Sequence, residues 1–279
     1  MRFLGLLLTV FMLSACSKTE WAVRWADTYI SWKLIDQFEF SGAAKKTVRL
    51  EAERLVKLVR QKKFTQVGSF LHETARLSRS VDWRDETRLR GIIHERLLTA
   101  EQFFYSLFEL VGPETNKIAS LVAADNWQKF KKNFEKENGK ILSEKSKCHK
   151  RFYDQIEIWM GEISEAQKNQ VQIYCAKRIG SAKVRVDNRR QLLNTLDGWA
   201  ASSSDGFSPN RFITAVVRWM NEYRRLQSPE ALASWREGQG VLTQVLVQVL
   251  RLSTTRQKVA LAENLEKQSA IFKKMAIIH

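Results

Sequence analysis

The stretch that decides the fold is KCHKRFYDQIEIWMGEISEAQKNQVQIYCAKRI, residues 147–179. Gly161 lies near its middle, and glycine commonly ends a helix because it tolerates the left-handed backbone conformation. Residues 164–167, Ser-Glu-Ala-Gln, match a capping box, in which a serine and the glutamine three positions later close the start of a helix. The stretch therefore predicts two helices joined by a tight turn, which is an antiparallel helical hairpin.

Both arms of this hairpin continue well beyond the quoted stretch. Apolar residues recur at spacings of three, four or seven from Trp127 to Trp159 and again from Val171 to Leu196, a pattern typical of amphipathic helices. We predict a single helix from Asp125 to Trp159, which would be the longest in the chain at ~50 Å. Residues equally distant from the turn at Glu162 are then expected to face each other.

The rest of the chain has the composition of a helical protein. Leucine, alanine, lysine, glutamate, arginine and glutamine are abundant, and there are only 3 prolines. Those residues favour helices, and neither a sustained period-two alternation nor an Asn-Gly or Asp-Gly turn occurs. The predicted fold is therefore all-α, an elongated multi-helix bundle with a long antiparallel helical hairpin. Helices are expected to start at Ser41, Asp82, Ser208 and Ser228, with a separate short helix over 64–71.

The first residues of the chain have a different character. Arg2 is followed by an apolar run from Phe3 to Leu13, which is too short to span a bilayer as a helix because that requires ~20 residues. Residues 13–16, Leu-Ser-Ala-Cys, then place a cysteine after small residues. This segment resembles the signal peptide and lipobox of bacterial lipoproteins, with an ordinary secretion signal as the alternative.

The lipobox resemblance implies cleavage before Cys16 and a lipid on the Cys16 thiol. Two or more acyl chains anchor a protein stably to a bilayer. Ser17 follows the cysteine in place of aspartate, which in Gram-negative lipoproteins implies the outer membrane. We therefore expect a cell-envelope protein that is lipid-anchored to the outer membrane and faces the periplasm, with exposure at the cell surface as an alternative.

The chain divides into three regions. Residues 1–15 are the predicted lipoprotein signal peptide, residues 16–201 an N-terminal helical region with the long hairpin, and residues 207–279 a C-terminal helical region packed on it. Residues 202–206, Ser-Ser-Ser-Asp-Gly, have the composition of a loop and form the boundary. We expect the two helical regions to form one continuous domain.

A first helix is predicted from Glu20 to Phe38. Aromatic side chains share one face of it: Trp21, Trp25, Tyr29 and Trp32. Such a face fits either an aromatic belt beside the membrane or an apolar stripe packed into the core. We favour the core, because Ile35 and Phe38 continue the stripe away from the anchor.

Two stretches resemble a known family of bacterial lipoproteins. One is Trp25–Phe40, where aromatic residues precede a helix start. The other is 121–167, with Phe-Glu-Lys-Glu-Asn at 134–138 and Ile-Trp-Met-Gly-Glu-Ile-Ser-Glu-Ala-Gln at 158–167. They resemble the family called domain of unknown function 6279, which implies an envelope lipoprotein without an assigned activity. The Trp-His-Arg motif of that family is replaced here by Leu-Val-Arg at 58–60, so only the arginine matches.

The chain is strongly basic, with a formal net charge of +16. Nucleic acid is not an expected partner, because export removes the protein from it. Basic residues concentrate in 129–151 and 177–190, which the hairpin would bring side by side. We predict one surface for anionic partners, formed by Lys129, Lys132, Lys136, Lys140, Lys147, Arg178, Lys183, Arg185 and Arg189. Expected partners are anionic lipid, lipopolysaccharide, cell wall or an acidic protein, and two independent solvated faces are the alternative.

The cysteines predict a disulfide. Besides Cys16, the chain contains only Cys148 and Cys175, which lie almost equally far from Glu162 on the apolar stripes of the two arms. The expected compartment is oxidising, so facing cysteines would pair. We predict a bond between them. The alternative is two buried, reduced thiols, which is common for free cysteine.

Catalytic and metal-binding motifs are not found in the sequence. The 4 histidines form no His-Glu-x-x-His pair, and the neighbours Cys148 and His149 point roughly 100° apart on a helix, so they cannot bind one ion together. Neither a Gly-x-Ser-x-Gly turn nor a phosphate-binding glycine loop occurs. We predict no metal, no cofactor and a non-enzymatic binding or structural module. The alternatives are a carrier of a hydrophobic ligand in an interhelical cavity, or an envelope enzyme whose site combines distant residues.

Overall fold

The structure is a computed structural model that describes residues 23–143, 147–202 and 206–277. Within these ranges the protein is all-α, as predicted. The helices are α1 (Ala26–Phe38), α2 (Gly42–Ser80), α3 (Glu86–Val111), α4 (Asn116–Ala119), α5 (Ala124–Ser143), α6 (Lys147–Met160), α7 (Glu165–Gly180), α8 (Ala182–Ala200), α9 (Pro209–Glu222), α10 (Pro229–Arg251) and α11 (Thr255–Ile277). A 3₁₀ turn, Gly112–Thr115, joins α3 to α4. The predicted signal peptide and Cys16 lie outside the described residues.

Two very short strands contain the first and last residues of the loop predicted at 202–206, and residues 203–205 lie outside the described residues. Strand β1 (Ala201–Ser202) pairs antiparallel with β2 (Gly206–Phe207), a ladder that the sequence did not predict. Among the residues described, no helix has both the length and the apolar composition needed to cross a membrane.

The longest described helix is α2, which runs for 39 residues. At 1.5 Å per residue it is ~58 Å long, about twice the diameter of a small domain, so the bundle is elongated. The predictions that 64–71 forms a separate helix and that Asp125–Trp159 is the longest one are both wrong. Gln61, Lys62 and Lys63 join the two apolar stretches of α2, and as strong helix formers they continue the hydrogen-bond ladder.

The second arm of the hairpin consists of two helices, which corrects the prediction of a single helix there. In the first arm, α5 and α6 are described on either side of residues 144–146, which lie outside the described residues. In the second arm, α7 ends at Gly180 and α8 follows after Ser181. The Ser181 N–H still donates to the Lys177 carbonyl at 3.0 Å, so the break is local. Glycine and serine are weaker helix formers than most of their neighbours, which explains its position.

Side chains close several helix starts where the sequence predicts. The Gln167 N–H donates to Ser164 Oγ at 3.3 Å and the Ser164 N–H donates to Gln167 Oε1 at 2.9 Å, which completes the predicted capping box. Gly161, with φ of 82°, has the left-handed conformation that glycine adopts readily, and it turns the chain after α6. Ser208 and Ser228 cap α9 and α10.

The start of α3 lies three residues later than predicted. Asp85, and not Asp82, caps the helix by accepting a hydrogen bond from the Arg88 N–H at 2.9 Å. Asp82 instead accepts from the Arg84 N–H at 2.9 Å and stabilises the preceding turn. Ser41 precedes α2 as predicted, but its side chain makes no capping hydrogen bond.

Two large apolar clusters hold the helices together. Core A contains Val81, Trp83, Leu89, Ile156, Met160, Ile163, Val171, Cys175, Val245, Val247 and Val249. Core B contains Phe40, Val48, Ala119, Val122, Trp127, Leu193, Leu196, Ala200, Phe212 and Ala215. Both cores combine residues from before and after 202–206. The C-terminal helices therefore pack into the same interior as the N-terminal ones.

Helices α2 and α11 come close together at Gly68. Ser269 Oγ on α11 donates to the Gly68 carbonyl at 2.7 Å. A Cβ atom on Gly68 would lie 2.7 Å from Lys273 Cγ and 3.0 Å from the Ser269 carbonyl oxygen, both shorter than ordinary van der Waals contact. Glycine at this position thus permits the approach of the two backbones.

Replacing Gly68 by valine is expected to destabilise the protein by roughly 1–3 kcal/mol, because the added side chain forces packed helices apart. Gly91→Ala on α3 is the control, since a Cβ there would meet no atom of another element within 4 Å. Alanine should stabilise that helix by roughly 0.5–1 kcal/mol. Urea denaturation measures both effects. An unfolding free energy unchanged by Gly68→Val would contradict the close approach of the helices.

Candidate anion-binding surface

The two arms of the hairpin pack antiparallel in the predicted register. Near the turn, the Tyr153 hydroxyl donates to the Lys168 carbonyl at 3.3 Å. At the far end, Trp127 Nε1 donates to Asp197 Oδ1 at 2.5 Å. The members of each pair are close to equidistant from Glu162. The prediction that the arms face each other in this register is confirmed.

Cys148 on α6 and Cys175 on α7 lie opposite each other across this interface. Their Sγ atoms are 2.10 Å apart and their Cα atoms 5.7 Å apart, so the two cysteines are at bonding distance, as predicted. Cys175 is fully buried in core A, whereas Cys148 is half-buried at its edge. The bond joins α6 to α7, and through Cys175 it is embedded in the apolar interior.

Several of the predicted basic residues are held by carboxylates. The ion pairs are Lys129 with Asp125 at 2.8 Å and Glu39 at 3.6 Å, Lys140 with Glu137 at 2.7 Å, and Lys183 with Asp187 at 2.6 Å. The hydrogen bond to Asp125 raises the pKa of the Lys129 ammonium above its ordinary value. Exposed pairs of this kind contribute little to stability. They do reduce the positive charge that these lysines present to a partner.

Lys132 and Lys136 on α5 differ from these paired lysines. Both are exposed, and they lie one helical turn apart on the same face. Neither has a carboxylate partner within the described ranges. At 100° per residue, they lie roughly 140–180° around α5 from Trp127, which packs against α8. They therefore point away from α8 and are not brought beside Lys183.

The remaining predicted residues are distributed along the hairpin. Arg178 is exposed near the end of α7, and Arg185 is half-buried on α8. Lys147 begins α6, but its side chain lies outside the described part of the structure. The residues that the structure brings together on one exposed face are therefore those of α5, mainly Lys132 and Lys136.

Arg189 is a correction to the predicted surface, because it is only 6% exposed. Its Nε donates to Asn138 Oδ1 at 2.6 Å. The guanidinium carbon lies 4.4 Å from the centre of the Phe134 ring, which is the distance of a cation–π contact. The interface between α5 and α8 satisfies this arginine internally. Arg189 is thus a structural residue that an external anion does not reach.

The aromatic residues of α1 are exposed, which corrects the prediction that they pack into the core. The exposed side chains are Trp25 (51%), Tyr29 (38%) and Trp32 (56%). Ile35 and Phe38 pack against core B instead. At 100° per residue, Phe38 lies roughly 180° around α1 from Tyr29. The predicted apolar stripe therefore does not stay on one face of the helix. Trp21 lies outside the described residues.

A groove of about 750 Å³ runs between α1 and α2. Its walls combine charged and apolar side chains, among them Asp27, Trp32, Ile35, Asp36, Lys45 and Arg49. A carrier of hydrophobic molecules would instead present an enclosed, mainly apolar cavity. The groove is open to solvent on one side and mixed in character.

The buried carboxyl group of Glu51 is paired within the bundle. Burial raises the pKa of the Glu51 carboxyl on α2, but hydrogen bonds from Arg54 and Lys117 outweigh this and hold the pKa below its ordinary value. The Lys117 bond, at 3.0 Å, connects α2 to α4. His72 lies at the surface 2.8 Å from Glu266. Within the described ranges, no group of three His, Cys, Asp or Glu side chains is arranged to hold a metal ion.

Comparison with known proteins found no relative. No protein-family model, curated protein or solved structure is significantly similar to this chain. The resemblance to the lipoprotein family therefore stays a prediction from the residues that carry it.

Proposed function

We propose that this protein is a lipid-anchored helical module of the bacterial cell envelope that binds an anionic partner and is not an enzyme. Lipid on Cys16 would anchor it to the outer membrane, facing the periplasm. The observation that carries the binding role is the pair Lys132 and Lys136. They stay exposed, without a carboxylate partner among the described residues, while neighbouring lysines are ion-paired.

The cysteines support the anchor. The chain has 3 cysteines, and the structure places Cys148 and Cys175 at bonding distance. Disulfides are typical of exported proteins and rare in the cytosol. Cys16 is the third cysteine, and it follows an apolar run and small residues, as the modified cysteine of a lipoprotein does. Export and lipidation together account for all three.

The charge of the chain supports an anionic partner. Each exposed lysine near an anionic surface contributes about 1 kcal/mol of attraction. Lys132 and Lys136 would act together, because they lie on one face of α5. The formal net charge of +16 adds a long-range attraction that raises the rate of encounter.

The two alternative functions, a carrier of a hydrophobic ligand and an envelope enzyme, receive less support. The groove between α1 and α2 is mixed and open, whereas a hydrophobic ligand requires an apolar cavity. An enzyme site commonly contains a titratable group whose pKa is shifted toward neutrality in a cleft. The buried carboxylate of Glu51 has its pKa shifted the other way, by Arg54 and Lys117. It is typical of a structural ion pair.

Reversing Lys132 and Lys136 to glutamate is expected to weaken binding of the unacylated chain, residues 17–279, to phosphatidylglycerol vesicles. Losing two lysines removes about 2 kcal/mol of binding free energy. The affinity for the vesicles should therefore fall about 30-fold or more at low salt. Added salt should weaken wild-type binding, because 0.1 M salt screens charges beyond ~10 Å. Co-sedimentation across a lipid titration measures both effects.

The control is a charge-matched pair at a different place, Arg84→Glu with Arg88→Glu. These residues flank Trp83 and Leu89 of core A, whereas α5 packs in core B. Vesicles of phosphatidylcholine provide the neutral baseline. Equal weakening by the two double variants would show that net charge alone drives binding, which would contradict a binding role for α5.

A further inference from the structure

We propose that the exposed aromatic residues of α1 and the exposed lysines of α5 form one surface that lies on the membrane holding the lipid anchor. This membrane-facing surface consists of Trp25, Tyr29, Trp32, Lys132 and Lys136. The inference rests on the proposed lipid anchor. It adds the identity of the anionic partner, which is a phospholipid surface, and the orientation of the bundle on it.

The aromatic part of the surface has the composition of a membrane interface. Tyr29 and Trp32, three residues apart, share one face of α1. Trp25 directly precedes the helix, and its carbonyl accepts a hydrogen bond from the Tyr29 N–H at 2.9 Å. The Tyr29 and Trp32 rings lie 6.0 Å apart. Tryptophan and tyrosine concentrate at membrane–water interfaces, where an apolar ring meets lipid and a polar edge meets water.

Lysine residues complement these rings. Lys33 Nζ lies 5.7 Å from the centre of the Trp32 ring. A lysine beside an interfacial ring extends its ammonium to the headgroups while its methylene groups cover apolar surface. An anionic lipid surface therefore suits the exposed rings and the ammonium groups of Lys33, Lys132 and Lys136.

Helices α1 and α5 are neighbours and run antiparallel. Asn126, at the start of α5, donates from Nδ2 to the Phe38 carbonyl at the end of α1, at 3.0 Å. Asn133, two turns further along α5, donates to the Gln37 carbonyl at 3.1 Å. The two helices thus form one layer of the bundle.

The exposed faces of these helices point the same way because both helices bury their other face in core B. Phe38 of α1 stacks on Phe130 of α5 with ring centres 4.5 Å apart, and Trp127 stacks on Phe130 at 5.2 Å. An amphipathic helix presents its polar face opposite its buried one. The aromatic residues of α1, and Lys132 and Lys136 of α5, are therefore turned to the same side of the layer.

The anchor connects close to this surface. Cys16 lies nine residues before Trp25, and an extended chain spans at most ~3.5 Å per residue, so Trp25 stays within roughly 30 Å of the lipidated residue. Val23, the first residue that the structure describes, is fixed to the bundle, because Arg60 on α2 donates to its carbonyl at 2.5 Å. A short connection to a fixed point keeps the aromatic face near the bilayer.

The test places a fluorescent label at a single engineered cysteine in the full, acylated chain. Trp32→Cys puts an environment-sensitive fluorophore on the membrane-facing surface. Trp235→Cys, on α10, is the matched control, because Trp235 is also an exposed tryptophan. Cys148 and Cys175 are bonded and do not take the label. The chain is reconstituted in vesicles of phosphatidylethanolamine and phosphatidylglycerol at 3:1, with or without brominated lipid.

Brominated lipid is expected to quench the label at position 32, with blue-shifted emission, and to leave the label at 235 unquenched and in water. Lys132→Glu with Lys136→Glu should reduce the quenching at 32. Two results would contradict the orientation but not the anchor. One is equal quenching at both positions, and the other is no quenching at position 32 in a chain that floats with the vesicles. A label at 32 that is shielded from water but unquenched would assign the face to a protein, either a second copy or another partner. A chain that does not float contradicts the anchor itself.

Discussion

Replacing Cys175 by alanine is expected to lower the free energy of unfolding by about 3–4 kcal/mol, the amount that the chain-entropy model assigns to a loop of this size. The bond to Cys148 closes a span of 27 residues across the hairpin. Without the bond, the unfolded chain regains the freedom of that loop, so the folded state loses relative stability. Guanidinium denaturation of the two proteins under non-reducing conditions measures the difference.

Cys148→Ala is the matched control for the cross-link, since it breaks the same bond from its less buried end. The double variant should lower the free energy of unfolding little more than either single variant does, because both changes remove the same disulfide bond. Reductant should destabilise the wild-type protein and leave the variants unchanged. A wild-type unfolding midpoint that is the same with and without reductant would contradict a stabilising bond.

Replacing Cys16 by serine is expected to move the protein from the membrane fraction to the soluble fraction or to leave it unprocessed. Each buried CH₂ group of an acyl chain contributes about 0.8 kcal/mol to membrane binding, so losing the lipid lowers the partition coefficient by many orders of magnitude. Fractionation of cells by ultracentrifugation, with detection of the protein in each fraction, measures the change.

Cys148→Ala controls for the loss of a cysteine as such, and it should stay with the membrane. Residual binding of the Cys16→Ser protein through Lys132 and Lys136 would disappear in high salt, because salt screens surface charges. An unchanged distribution and an unchanged mature mass for Cys16→Ser would contradict lipidation at this residue.

The helical hairpin could be predicted from the sequence because its signals are local. Gly161 and the Ser164–Gln167 capping box mark a helix end and a helix start through backbone chemistry within a few residues. The apolar periodicity of the two arms then sets which sides meet. The register followed from these features, and so did the pairing of Cys148 with Cys175.

The lengths of the helices were predicted less well. In α2, the apolar pattern weakens around 61–63, but the strong helix formers there and packing against α11, as between the rings of Phe64 and Phe272 at 5.0 Å, keep the helix continuous. In the second arm, the break at Gly180 and Ser181 involves only two weak helix formers, which do not interrupt the apolar periodicity. Helix propensity is a weak signal that tertiary packing commonly overrides.

The candidate surface could be predicted only in part. Lys129, Lys140 and Lys183 pair with carboxylates three or four positions away, which helical spacing does predict, but other contacts join segments distant in sequence. Lys129 meets Glu39 of the segment after α1, and Arg189 is buried against Asn138 of the opposite arm. Such contacts leave no signature near the basic residue in the chain. The exposed aromatic face did have a signal, namely the spacing of Trp25, Tyr29 and Trp32 close to the predicted lipobox. Ile35 and Phe38 do pack against core B, whereas these rings are exposed.

The most direct test of the central claim, that a lipid-anchored helical module is held at the membrane, is the mass of the N-terminal peptide of the wild-type protein purified from membranes. We expect a peptide that begins at Cys16 and carries the mass of a diacylglycerol group with an added amide-linked acyl chain. The same peptide should be absent from the Cys16→Ser protein. A wild-type peptide that begins at another residue, or that begins at Cys16 without lipid, would contradict the account.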